Sequence, residues 1–371
     1  MVSCGEASGD LYAGALVAAL RRREPDIDVF GLGGERFKAA GGRLIADFHG
    51  LSVTGLTEAL KVIPRSLATL RQLVRAAERE RPHALIVIDY PDFNFRLMSR
   101  IKKLGIPVVY YISPQLWAWR GGRIRVMKRL VNRVLPIFPF EEALYRREGM
   151  DVRFVGHPLI DLADPQTDRE TFLRRLNLDP SKPVLALLPG SRANEVERLA
   201  DVMARAVPAI AQQVPGVQFV VARAPNLHDG LFDPFGISGV TLRIAEGETD
   251  AVLNASDAVV TASGTATVQT ALHGKPMVVV YKLSPMTYRL GKRLAQVDTY
   301  AMVNLIAGER VVVELIQDEC TPEAVAREAV RLLTDGEYRT RMLASLQEVK
   351  QKLGGPGASD RAAEAILELI T

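Results

Sequence analysis

The sequence predicts an α/β protein built of two doubly wound, Rossmann-like halves, and three observations carry that prediction. Short apolar runs of strand length recur along the chain, such as residues 84–88, Val184–Leu188 and Ala258–Ala262, as strands buried on both faces require. Amphipathic helical stretches alternate with them, the pattern of parallel strand-helix-strand units. The length of 371 residues exceeds what one core usually supports, so two domains are expected. Composition agrees: 48% hydrophobic and 24% charged residues are ordinary for a globular chain, and a net charge of +4 is too mild to imply nucleic acid. Cys4 and Cys320 stand far apart with no Cys/His ladder, which argues against zinc and for a reducing, cytoplasmic setting. No apolar run is long enough to span a bilayer, and no signal peptide is recognised.

In chain order, residues 1–4 read as the end of a buried strand that enters the loop Gly5-Glu6-Ala7-Ser8-Gly9-Asp10. Residues 11–23 have helical spacing and end in a basic turn. A strand at 29–32 meets Gly33-Gly34, which lacks the GxGxxG spacing and is read as a turn. Residues 56–79 form a long amphipathic stretch decorated by Arg65, Arg71 and Arg75. The strand at 84–88 ends in Asp89-Tyr90-Pro91-Asp92-Phe93-Asn94. Ligands of open α/β sheets sit beyond the carboxyl ends of strands, so Asp89 is a general-base candidate, while Asp92 suits a helix cap. A strand at 108–112 leads to Ser113-Pro114 and to Trp117-Ala118-Trp119-Arg120. From Arg120 to Arg133 there are six basic residues and no acidic one, Arg123 and Arg125 among them. Tryptophan beside such charge suits anionic lipid headgroups or a membrane surface. A strand at 134–138, a short helix and Gly156-His157-Pro158 complete the first half, and the polar stretch 161–183 is the expected passage between domains.

The second half restarts the alternation at Val184. Pro189-Gly190 ends its first strand, Ser191 is a candidate helix N-cap, and Arg192 adds a cation beside the positive end of the helix dipole. Such a corner selects an anion, above all a phosphate. Strands at 219–222 and 242–244 and a helix at 250–254 follow. Ala258–Ala262 then breaks at Ser263-Gly264-Thr265 and feeds a helix at 266–272, a second phosphate-competent corner. Two such corners in one half suit a nucleoside diphosphate. After a strand at 277–281, residues 299–304 read as a loop whose Asn304 either binds a ligand or caps a turn. Helices at 321–333 and 338–353, the breaker Gly354-Gly355-Pro356-Gly357 and a last helix at 359–370 end the chain. The expected domains are 1–165 and 166–353, with 354–371 returning toward the first domain or a partner subunit.

Taken together, the Gly5–Asp10 loop, Ile88-Asp89-Tyr90-Pro91-Asp92-Phe93-Asn94, Ser113-Pro114 with Trp117-Ala118-Trp119-Arg120, Gly156-His157-Pro158, Leu188-Pro189-Gly190-Ser191-Arg192 and Ala262-Ser263-Gly264-Thr265-Ala266 resemble the lipid A disaccharide synthases, inverting transferases of the B-type glycosyltransferase architecture. The resemblance spans nearly the whole chain in order. It implies transfer of 2,3-diacylglucosamine from UDP to the 6-hydroxyl of 2,3-diacylglucosamine 1-phosphate, at the cytoplasmic face of the inner membrane, by a peripheral protein that forms a homodimer. No metal and no cofactor are implied. Asp89 is then the general base, and Gly190, Ser191, Arg192, Ser263, Gly264, Thr265, Gln269 and Asn304 hold UDP. Glu6, Ser8, Gly9 and His157 shape the cleft and acceptor side, and Trp117, Trp119, Arg120, Arg123 and Arg125 meet lipid. Three departures stand out: the first strand begins late for the family, Gln269 replaces a Glu that commonly holds the ribose hydroxyls, and Met302-Val303 precedes Asn304 where a Pro is expected. The alternatives are a UDP-sugar 2-epimerase or another UDP-sugar-dependent glycosyltransferase of the same fold. A dinucleotide oxidoreductase and a P-loop phosphohydrolase lack their signatures, and a non-enzymatic membrane-surface module would need only the basic helices.

Overall fold

The computed structural model describes residues 1–49, 56–114, 121–225, 227–283 and 299–370. The chain divides into two units, Met1–Asp161 with Leu353–Thr371, and Leu162–Lys352. Among the described residues, the first unit holds a six-stranded parallel sheet of β1 (Val2–Cys4), β2 (Phe30–Gly33), β3 (Arg43–Asp47), β4 (Leu85–Ile88), β5 (Val108–Tyr111) and β6 (Arg133–Leu135), ordered β3-β2-β1-β4-β5-β6. Its central strands are fully buried and, Ser3 apart, carry apolar or aromatic side chains, because helices cover both faces of the sheet. Leu73, Leu97, Met98, Ile101, Met127 and Tyr145 fill one of those layers.

The second unit repeats the plan with β7 (Val184–Leu188), β8 (Gln218–Arg223), β9 (Leu242–Glu246), β10 (Ala258–Ala262), β11 (Met277–Tyr281) and β12 (Val313–Ile316), ordered β12-β11-β10-β7-β8-β9. Each sheet reverses direction of winding once, between β1 and β4 in the first unit and between β7 and β10 in the second. In doubly wound sheets that switch point opens a crevice at the carboxyl ends of the strands, where ligands bind.

Several elements differ from the sequence reading. The first helix starts at Ala7 rather than 11, and Met302–Ala307 is a helix where a loop is expected. Strands β3 and β12 do not stand out in the sequence, because both are sheet edges whose side chains are only partly buried and carry charges. The last helix, Ala358–Ile370, packs against the Ala7–Arg23 helix of its own chain through buried Ala358, Ala362, Ala363, Ala365 and Ile366. Arg361 Nε donates to the Val155 carbonyl at 2.8 Å and Arg133 Nη1 to that of Ala365 at 2.7 Å.

His157 belongs to this packing rather than to an open cleft. It is 1% exposed, its ring lies edge-on to Tyr12 and beside Phe138, its Nδ1 accepts from Leu159 N at 3.2 Å, and its own N–H donates to the Leu353 carbonyl at 2.9 Å. Burial lowers its pKa from the ordinary 6.5 to about 3, so the folded chain holds the ring neutral. The unfolded chain therefore binds an extra proton between those values, and the stability that neutral His157 contributes is lost as pH falls through that window. Denaturant melts between pH 6.5 and 4.5 are expected to lose up to about 1.4 kcal/mol per pH unit from this group, and His157→Gln is expected to remove that part of the slope.

Candidate active site

The backbone at the carboxyl end of β4 is tightly constrained. Asp89 (φ 44°) and Tyr90 (φ 49°) are left-handed in succession, and Ile112, just past β5, has φ 59°. A β-branched residue avoids that region, so the surrounding contacts must enforce it. They are visible. The Asp89 carbonyl accepts from Asn94 Nδ2 at 2.7 Å and from the Tyr110 hydroxyl at 3.0 Å, and the Asp89 N–H donates to Ile112 O at 3.2 Å. Asn94 is completely buried and accepts the Ser3 hydroxyl at 2.7 Å, which ties this turn to the neighbouring strand β1. The backbone of Asp89 is thus bolted down while its half-buried side chain stands at the switch point.

The loop after β1 stands beside it, since Cys4 pairs with Ile88. Glu6 is the N-cap of the Ala7–Arg23 helix; Glu6 and Ser8 are partly exposed there and Gly9 is buried. Asp10 serves the structure, because its carboxylate accepts from the N–H groups of Gly34, Arg36 and Phe37 at 2.7–3.0 Å. The helix cap after Asp89 differs from the sequence reading, because Tyr90 is the N-cap and Asp92 lies in the first turn. Burial, with the carboxylates of Glu6 and Asp92 nearby, raises the Tyr90 phenol to about 12. Arg123 donates to Asp92 Oδ1 at 2.7 Å and lies over the Phe95 ring at 5.4 Å, while Arg125 is exposed. Trp117, Trp119 and Arg120 lie outside the described residues.

In the second unit the two corners that the sequence predicts to take an anion flank one switch point, because β7 and β10 are neighbours with Leu188 paired to Thr261. After β7 the N-cap of helix Ala193–Gln213 is Arg192, not Ser191. The cap acceptor comes from inside the helix instead: Glu195 Oε2 accepts the Ser191 N–H at 3.1 Å, and Glu195 Oε1 pairs with Arg192 Nη1 at 3.1 Å. This reach-back resembles a capping box, and it presents the guanidinium at the helix mouth. Gly190 has φ 133°, and a Cβ there would come within 2.6 Å of Glu195 Cβ. Gly190→Ala is therefore expected to cost about 1–3 kcal/mol in a denaturant melt through strain, and to weaken UDP binding by displacing Glu195.

At the second corner Gly264 has φ 136°, and among the described residues nothing lies within 4 Å of where a side chain would stand. The Ser263 hydroxyl donates to the Tyr300 carbonyl at 2.9 Å, and Thr265 is exposed at the start of helix Thr265–Leu272. Tyr300 is held in turn by Glu314, whose carboxylate accepts from the N–H groups of Tyr300 and Ala301 at 2.9 and 3.0 Å. Asn304 is 1% exposed and its carboxamide is saturated: Nδ2 donates to Val312 O and Glu314 Oε1, and Oδ1 accepts from Val311 N and Val312 N. Its geometry is that of a bolt behind the corner rather than a ligand contact. Gln269, one turn further along the same helix, donates from Nε2 to Asp250 Oδ1 at 2.7 Å.

Two doubly wound six-stranded parallel sheets define the architecture of the B-type glycosyltransferases. Solved structures of that fold are similar to this chain: a co-structure of S. aureus MnaA with UDP has a TM-score of 0.71 at 13% identity and covers 100% of this chain and 96% of its own. A kitacinnamycin glycosyltransferase has a TM-score of 0.63 at 17% identity, over 100% of this chain and 98% of that one. The lipid-A-disaccharide synthetase family model matches residues 1–368, and the lipid-A-disaccharide synthase of Myxococcus xanthus is 46% identical over 371 residues, covering 100% of this chain and 97% of the relative. The chain belongs to the lipid-A-disaccharide synthetase family.

Proposed function

We propose that the chain catalyses the inverting transfer of 2,3-diacylglucosamine from UDP to the 6-hydroxyl of 2,3-diacylglucosamine 1-phosphate, forming the β-1,6 disaccharide 1-phosphate and UDP. The observation that carries the reading is the family match across residues 1–368; the constrained Asp89 and the two phosphate corners support the assignment of roles. Asp89 takes the proton of the 6-hydroxyl, whose oxygen then bonds to the anomeric carbon on the face opposite UDP. The anomeric carbon–oxygen bond breaks, and its electron pair leaves with the diphosphate. Arg192 and the helix mouths at Ser191 and at Gly264–Thr265 absorb that charge, so no second catalytic acid is called for. Glu6, Ser8 and Gly9 stand beside Asp89 in this reading, Gln269 meets the ribose, and Asn304 acts by positioning the Ser263 corner.

The finer partners belong to the same proposal. The substrates carry acyl chains and phosphate, so Arg123, Arg125 and the segment containing Trp117, Trp119 and Arg120 are assigned to an anionic membrane surface, with the protein peripheral on the cytoplasmic side of the inner membrane. Among the described residues no helix is long and apolar enough to cross a membrane. Co-sedimentation with phosphatidylglycerol vesicles that weakens with salt is expected, and sedimentation velocity reads out the homodimer. The reaction itself is tested by UDP release from UDP-2,3-diacylglucosamine in detergent, with and without 2,3-diacylglucosamine 1-phosphate. Acceptor-dependent release with a disaccharide product is expected. Release or sugar conversion without acceptor would favour an epimerase-like reading, which the fold also accommodates.

A further inference from the structure

Asp250 and His273 have no part in the proposed chemistry, yet both cluster with Gln269. Asp250 sits on helix Thr249–Ala255, and its Oδ1 accepts both Gln269 Nε2 at 2.7 Å and His273 Nε2 at 2.8 Å. The His273 side chain is 6% exposed and that of Asp250 27%. A carboxylate only accepts, so the nitrogen end of Gln269 is committed to Asp250 and Oε1 is turned away from it. The faces of the helix decide what Oε1 meets. On helix Thr265–Leu272 the residues Thr267, Val268, Thr270, Ala271 and Leu272 are buried, whereas Thr265 is exposed and Ala266 and Gln269 are partly so. Thr265 and Gln269 are one turn apart on the open face, a rise of about 6 Å from the helix mouth. A nucleoside diphosphate with its phosphates at that mouth has its ribose one short CH2–O link further on, at the level of Gln269.

We propose that Asp250 is a positioning residue of the nucleotide site: it orients the Gln269 carboxamide so that Oε1 meets the ribose hydroxyls as a neutral acceptor. The inference rests on the reading of the Gly264–Thr265 corner as the UDP site. Its consequence is that the pair 250/269, not position 269 alone, sets ribose recognition. A Glu at 269 facing Asp250 would oppose two carboxylates on one proton donor, His273, and would turn away from the ligand. With Asn at 250 the same Glu regains a donor and is held in place.

The test is a double-mutant cycle read by calorimetric titration of the full chain with UDP and with 2′,3′-dideoxy-UDP, which lacks the ribose hydroxyls. The unsubstituted chain is expected to bind UDP about tenfold more tightly than the dideoxy compound, the size of one good polar contact. Gln269→Glu is expected to abolish most of that preference, Asp250→Asn to reduce it about threefold, and the double variant Asp250→Asn/Gln269→Glu to restore it to within about threefold, with dideoxy-UDP affinity unchanged throughout. Equal effects of Gln269→Glu in both backgrounds, or equal losses for the two nucleotides, would overturn the proposal, because a merely structural cluster behaves that way. If the unsubstituted chain binds UDP without any ribose preference, the pair proposal alone falls. If it binds neither nucleotide, the UDP reading of the corner falls first and the pair with it.

Discussion

Asp89→Asn is expected to lower kcat by about 10²–10⁴-fold, the range in which a positioned general base contributes, while leaving fold and UDP affinity intact. Asn is the informative replacement because residue 89 has φ 44°, a conformation Asn adopts readily and Ala does not. The donors that hold this turn, Asn94 Nδ2 and the Tyr110 hydroxyl, bond to the Asp89 carbonyl and survive the substitution. UDP affinity is expected to be spared because Arg192 and the Ser263–Thr265 turn, the proposed UDP contacts, belong to the other unit. The measurement is acceptor-dependent UDP release alongside a UDP titration. Unchanged turnover would remove Asp89 as the base, and lost UDP binding would mean that the substitution acts through structure.

Arg192→Ala is expected to weaken UDP binding by about 10–100-fold, since a charge-assisted hydrogen bond to an anion contributes roughly 1.5–3 kcal/mol. The effect has two parts. The guanidinium itself is lost, and Glu195, which pairs with it at 3.1 Å, is left as an uncompensated carboxylate at the anion site. Glu195→Gln in the Arg192→Ala background should therefore recover part of the loss, and Arg192→Lys should fall between, keeping the charge without the planar fork. Titration with UDP at low and high salt checks both, as the corners that keep the charge, Arg192 and Arg192→Lys, should show a steeper salt dependence than Arg192→Ala. Equal UDP affinity for the Ala variant would take Arg192 out of the site.

The parts of the fold and site that were legible in the sequence share a physical reason. Strands such as β4, β7 and β10 are covered on both faces, so burial writes itself as a largely apolar run, and a Gly or Asp just past the carboxyl end marks the turn. The positions of Asp89, Gly190, Arg192 and Gly264 at strand ends followed from that local signal. Edge strands β3 and β12 did not, because an edge mixes charge with partial burial. Hydrogen-bond partners were also invisible. Asn304 reads equally as a ligand residue or a cap until Glu314 and the Val311 and Val312 amides are seen to saturate it. Ser191 looks like an N-cap because its hydroxyl can accept from a helix N–H, yet Glu195 reaches back and takes the N–H of Ser191 itself.

By itself the sequence determined that this is a two-half α/β chain with Asp89 at one strand end and the Gly190-Ser191-Arg192 and Ser263-Gly264-Thr265 turns at two others, and its motif order carried the family resemblance. Only the tertiary structure decided that β1 lies against β4, so that the Glu6 loop stands beside Asp89, and that β7 lies against β10, so that the turns after these two strands flank one switch point. It also decided that Gln269 answers to Asp250. The physical reason is the range of the signal. Periodicity and turn chemistry report each residue's own burial and backbone, whereas strand order and side-chain pairing are choices among distant partners that become unique only when the whole core packs and every buried polar group must find a mate.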